Sequence, residues 1–117
     1  MTIESIAKLC HEANREFCAS IGDASQKPWD EAPQWQKDSV IVSIQTLLRY
    51  PDFNAEDLHQ AWVDHKAENG WVFGPKKDET AKTHPCMIAY GDLPVAQKSK
   101  DLLFIAMVRA CEPFMSE

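Results

Sequence analysis

The sequence predicts a mainly α-helical single domain of about four helices, with a small two-stranded β element between helices three and four. Three observations predict it. The chain has 117 residues, the length of one ordinary domain, enough to bury one core without disulfides or a structural metal. Its 44% hydrophobic and 26% charged residues are too apolar for disorder and too charged for a membrane protein. Apolar residues recur at helical spacing in segments bounded by Gly and Pro. No internal repeat, low-complexity run or linker divides the chain, so residues 1–117 are read as one domain.

The first helix is expected from Thr2 to Ile21, where Ile3, Ile6, Ala7, Cys10, Ala13, Phe17 and Ile21 share a stripe, Thr2 is the N-cap and Gly22 the stop. A polar stretch from Asp23 to Ala32 follows. Pro33 suits the first turn of a second helix running to about Tyr50, with Val40, Ile44, Leu47 and Leu48 inward and Pro51 blocking further propagation. Asn54 can cap a third helix whose first turn holds Glu56 and Asp57, favoured at the positive end of the helix dipole. That helix should bury Leu58, Ala61, Trp62 and His65 and end near Asn69-Gly70. The apolar runs Trp71-Val72-Phe73 and Cys86 to Tyr90 predict two short strands around a polar loop from Lys76 to Pro85. Pro94 opens a fourth helix with Leu102, Leu103, Ala106 and Ala110 as its stripe, widened by Val108 and Cys111. Pro113 to Glu117 is expected to fray.

Composition narrows the function. A formal net charge of -6 opposes a nucleic-acid backbone, which is bound through an excess of Lys and Arg. The N-terminal residues carry no basic region followed by an apolar core, and no apolar run reaches membrane-spanning length, so a cytoplasmic address without membrane contact is expected. Cys10, Cys18, Cys86 and Cys111 lack paired spacing and are read as reduced thiols. The four histidines and these cysteines form no zinc-ligand pattern, so neither metal nor cofactor is expected. His84 and Cys86 lie two apart with no third group to orient a base, and G-x-S-x-G, P-loop and G-x-G-x-x-G signatures are absent. A non-enzymatic role is therefore expected.

The segment from His59 to Tyr90 is richest in chemistry. Gly70-Trp71 and Gly74-Pro75 bend the chain at either end of an aromatic run, and Lys76, Lys77 and Lys82 put positive charge in the adjoining loop of an acidic protein. A flat ring could stack on the aromatics while phosphates meet the lysines. Composition alone favours the other reading of these residues, a satellite core beneath a solvated Lys-rich loop.

The run His59-Gln60-Ala61-Trp62, His65 to Pro75, Lys77-Asp78, Lys82-Thr83-His84-Pro85-Cys86, Tyr90 and Leu93-Pro94 resembles the ryanodine-receptor repeat (RyR) domain over about residues 55–105. Residues 1–54 then look like the N-terminal helical extension of single-copy bacterial and phage members. In animal calcium-release channels such domains pair in tandem, and one pair is associated with adenine-nucleotide binding between aromatic side chains. Prokaryotic members look like sensors or binders of nucleotide-derived signals in conflict systems. The resemblance implies a ligand site with Trp71 as stacking residue and Lys77 as phosphate partner, near Phe73, Lys82, His84 and Tyr90, with Trp62 as support. This chain has Phe73 where a Tyr would offer a hydroxyl, and it carries one copy of the repeat. The tandem pairing therefore implies a homodimer. A protein-interaction module anchored by its aromatic surface is the alternative.

Overall fold

The computed structural model describes residues 1–115. Four helices, α1 (Ile3–Ser20), α2 (Gln34–Arg49), α3 (Ala55–Glu68) and α4 (Val95–Cys111), make up most of the chain, and a parallel strand pair, β1 (Val72–Phe73) and β2 (Thr83–His84), lies between α3 and α4. No helix among the described residues is long and apolar enough to cross a membrane.

Local chemistry sets the helix ends. Thr2 Oγ1 accepts from the Ser5 amide at 3.1 Å and Ser5 Oγ accepts from the Thr2 amide at 2.8 Å, a reciprocal cap on α1. Asn54 and Asp57 do the same for α3, at 2.9 and 3.1 Å. Such caps satisfy amides that have no partner inside the helix. Gly22 and Gly70 follow α1 and α3 with φ of 89° and 85°, a conformation costly for residues with a Cβ. Pro33 and Pro94 stand at the N-cap positions of α2 and α4, one residue ahead of the expected first turn. At the other end of α2, Arg109 of α4 donates to the carbonyls of Leu47 (2.9 Å), Tyr50 (3.3 Å) and Pro51 (3.0 Å), satisfying acceptors that helix geometry leaves open.

All four helices share one core, in which Ile6, Ala7 and Cys10 of α1 meet Ile44 and Leu47 of α2, Leu58 of α3 and Val108 of α4, with Trp29 closing one side. Trp29 is placed by α1: its amide donates to Glu12 Oε2 at 3.1 Å, and His11 Nε2 donates to the Lys27 carbonyl at 2.6 Å.

Three expectations need correction. The second strand is Thr83–His84, not Cys86 to Tyr90. The Asp78 side chain accepts from the amides of Thr80 (2.9 Å) and Ala81 (3.1 Å), turning the loop so that Asp78 and Thr83 exchange backbone hydrogen bonds at 3.0 Å. The chain then runs beside β1 in parallel. Residues 86–90 are held instead through the Ile88 carbonyl, which accepts from His59 Nε2 at 2.7 Å, and the chain turns at Tyr90–Asp92. On α4 the stripe is rotated: Leu102, Ala106 and Ala110 are exposed, while Phe104, Ile105, Val108 and Cys111 pack on the core. Because 102–108 is apolar around the whole helix, periodicity alone does not choose the buried side. Finally, Glu112–Phe114 forms a 3-10 turn rather than fraying, and the N-terminal ammonium donates to the Phe114 carbonyl at 2.6 Å. Ser116 and Glu117 lie outside the described residues.

The close approach of β1 and β2 depends on Gly74. A Cβ there would lie 2.5 Å from Thr83 Cβ, on a side chain fixed by its own hydrogen bond to the Lys76 carbonyl at 2.8 Å. Gly74→Ala should therefore destabilise the domain by about 1 to 3 kcal/mol, the usual range for overpacking, read as a fall in melting temperature.

Candidate functional site

Along each helix, the inward stripe changes from apolar to polar. On α1, Ile6 and Ala7 give way to His11 and Asn14. On α2, Ile44 and Leu47 are preceded by Ser39 and Ser43. On α3, Leu58 is followed by Trp62 and Lys66. On α4, Val108 is preceded by Gln97, Lys100 and Asp101. Neighbouring helices are antiparallel in this sense, so the polar halves gather at one end. Small or hydrated side chains there cannot fill the space between helices as leucines would. The result is a cavity of about 480 Å³, completed by Asp23, Ser25 and Gln26 from the segment before α2 and by Lys77, His84, Pro85 and Cys86 from the segment after β1. That volume suits one small organic ligand.

Two indoles and a group of cations dominate it. Lys66 is 4% exposed, and its Nζ lies 4.7 Å from the Trp35 ring centre and 4.8 Å from that of Trp71. Lys77, exposed as a residue, brings its Nζ to 4.8 Å from the same Trp35 ring. Neither lysine has a carboxylate within ion-pair distance among the described residues. Burial, and then the neighbouring Lys77, pulls the Lys66 pKa down to about 8; burial also lowers that of Lys77. His84 is pushed down to about 4 by burial and by Lys77, Lys66 and His59. Its Nδ1 accepts from the Cys86 amide at 3.0 Å, so the neutral ring carries its proton on Nε2. Across the cavity, burial raises the pKa of Asp101, opposed by the Gln97 amide that donates to its Oδ1 at 3.2 Å. Asp101 Oδ2 and Trp35 Nε1 are buried without a hydrogen-bond partner. Burial also raises the pKa of Cys86, keeping it a thiol. No group of three His, Cys, Asp or Glu among the described residues is arranged to hold a metal ion.

Of the residues expected at a site, the structure brings together Trp62, Lys77 and His84; the Trp62 and His84 rings meet edge-on at 4.9 Å. The other four lie outside the cavity lining. Trp71 is buried behind it, 5.2 Å from the Trp35 ring and 6.5 Å from that of His84, with no open face for stacking. Phe73 points outward, 59% exposed. Lys82 has a left-handed backbone with φ of 55°, and its ammonium donates to the Asn69 carbonyl at 2.9 Å, a C-terminal cap for α3. Tyr90 packs on the outer side of His59 at 6.0 Å, under Lys98. Sequence reasoning left out Trp35, Lys66, Lys100 and Asp101. A signal for Lys66 was present: it follows Trp62 by four residues, on the same helix face.

Fold and site together define a small helical domain whose bundle is apolar at one end and opens into a ring-lined, cationic cavity at the other. The RyR domain family model matches residues 35–108, more than half of the chain, and the protein belongs to the RyR domain family. The match starts at Trp35, upstream of the motif read from residue 55, and so takes in α2. α1 precedes the matched span but supplies one wall of the cavity and part of the core.

His84 gives the site a pH signature. Its ordinary pKa of 6.5 falls to about 4 in the folded chain, so the unfolded state holds more protons between those values. Folded stability should therefore drop as pH falls from about 6.5 to about 4. The melting temperature of the wild type should fall relative to that of His84→Asn as the pH is lowered across that window.

Proposed function

We propose that this RyR domain is a non-catalytic binder of a small nucleotide or nucleotide-derived signal, held in the cavity between its helices. The observation that carries this reading is the cavity's composition: the half-buried rings of Trp35 and Trp62 line it beside Lys66, Lys77 and Lys100, none of which forms an ion pair with a carboxylate among the described residues. Rings accept a base by stacking, and ammonium groups accept phosphate as point charges. The side chains around it favour binding over catalysis. Cys86 is held as a thiol, and His84 spends Nδ1 on a backbone amide instead of orienting a nucleophile. The cavity is walled by one chain, so the reading does not require the homodimer that tandem pairing in related channels suggests. A cytoplasmic sensor or sequestering protein in a phage or bacterial conflict system is the role that family analogy adds.

A second reading, a protein-interaction module, is favoured by one observation: Val72 and Phe73 of β1 are both exposed, at 57% and 59%. The two readings separate by mutation. Calorimetry against nucleotides, cyclic dinucleotides and adenosine diphosphate ribose derivatives should find a ligand whose affinity falls about five- to hundredfold in Trp62→Ala, the worth of one stacked base. Phe73→Ala should leave that affinity unchanged. If no compound of these classes binds the wild type, while Phe73→Ala abolishes capture of a protein partner, the interaction reading replaces the first.

A further inference from the structure

Lys66 is placed as few lysines are. Its side chain rises from the buried face of α3, its ammonium lies within 4.8 Å of two adjoining indole rings, and no acceptor or carboxylate meets it among the described residues. Indole faces attract a cation but accept no hydrogen bonds of ordinary strength, so its N–H donors remain unspent. What accessible surface it keeps belongs to a residue of the cavity wall. Lys77 arrives from the loop after β1 and sets a second ammonium on the same Trp35 ring. His84, from β2, lies close enough for both lysines to act on its charge, and its Nε2–H has no partner among the described residues. Two like charges and a neutral N–H donor thus converge from three elements on one side of the cavity. The Asp23 carboxylate also acts on the charge of Lys77, and Asp101 lines the same cavity. Repulsion between the lysines is a cost that an anion seated among them removes.

We propose that Lys66, Lys77 and the Nε2–H of His84 form an anion subsite that takes a phosphate or diphosphate group, with Trp35 and Trp71 holding Lys66 in place. This rests on the reading of the cavity as a ligand site. It assigns the anionic end of the ligand to Lys66 and Lys77, whereas Lys82 acts as a helix cap. An anion at this subsite favours the charged form of Lys66 and is bound with proton uptake. The free-protein pKa of Lys66 is about 8, so affinity should decline as pH rises beyond that value. Lys77, also depressed, acts in the same sense, and His84 stays neutral throughout that range. The Cys86 thiol, the Lys100 ammonium and His59 also face the cavity, as do Cys10 and His11, and Cys18 acts on Lys77 from α1.

The test is an NMR titration of the folded protein with inorganic phosphate at pH 8 and pH 9.5, where phosphate itself remains a dianion, alongside titrations with adenosine and adenosine monophosphate. Lys66→Met, which keeps the buried stem, should weaken phosphate binding about ten- to hundredfold, the worth of one charge-assisted hydrogen bond. Lys77→Ala should weaken it less, and Lys82→Ala should leave it unchanged. Wild-type affinity for phosphate should be lower at pH 9.5 than at pH 8. Folded Lys66→Met with wild-type phosphate affinity overturns the proposal. So does a loss in Lys82→Ala that matches the loss in Lys77→Ala. If Lys66→Met does not fold, Lys77→Ala and the wild-type pH dependence decide, and no effect in either overturns it. Adenosine binding without any phosphate binding removes the anion subsite and leaves the cavity reading intact. Absence of binding by all three probes removes both.

Discussion

The organising constraint of this domain is that the inward positions of its four helices are apolar along one half of their length and mixed along the other, where polar side chains stand beside Cys18 and Leu103. Ile6, Ile44, Leu47 and Val108 are fully buried and lock one end of the bundle. At the other end the same helix faces present Asn14, Ser39, Ser43, Lys66, Gln97 and Asp101. Burying such groups against each other without partners would cost more free energy than closing the gap between the helices would return, so the helices stay apart there. The cavity thus follows from the sequence pattern of the helices. Loops then close its sides: residues 23–26 anchored through the Trp29 turn on α1, and 77–86 anchored through the strand pair. Arg109 works at the opposite end, where it ties α4 to the last carbonyls of α2 and prevents the apolar half from splaying.

Helix existence was legible because capping is local chemistry. Thr2, Asn54, Gly22, Gly70, Pro33 and Pro94 act within a few residues of themselves, and each marks its boundary to within a residue. The β element was legible in kind but misplaced in its second strand, since the apolar run at Cys86 to Tyr90 competes with a turn built by Asp78 that no hydrophobic pattern reveals. The buried side of α4 was not legible, because its apolar residues surround the helix and the partner helices decide which face is covered.

The site was half legible, for a related reason. Residues 59–90 do carry Trp62, Lys77 and His84 to the cavity, but their neighbours in sequence diverge in space: within the same motif Trp71 goes inward and Phe73 outward. Regular strand alternation would put residues 71 and 73 on one side; Trp71, however, precedes the two-residue strand and directly follows the left-handed Gly70, so alternation does not set its direction. Lys82 is conspicuous in sequence for its charge, yet its left-handed backbone and its bond to Asn69 make it part of the scaffold. The missing wall came from Trp35, Lys100 and Asp101, which lie far along the chain and join the site only through helix packing.

Those residues also show what the cavity costs. Lys66 is a buried charge compensated by two indole faces, and the unpaired Asp101 Oδ2 and Trp35 Nε1 each represent a loss of about 1 to 3 kcal/mol against a satisfied group. In a domain whose whole stability is on the order of 10 kcal/mol, these are large concessions gathered at one end. Leucine or methionine at position 66 or 101 would fill space and remove the desolvation cost, as replacement of buried ionic groups by apolar ones often does. Strain and unmet polar groups concentrate where a fold trades stability for chemistry. All three concessions stand on the walls of one cavity, and none lies among the residues of the apolar half. The two halves therefore differ in energetics, with Ile6, Ile44, Leu47 and Val108 holding the bundle while the polar half carries the unmet groups.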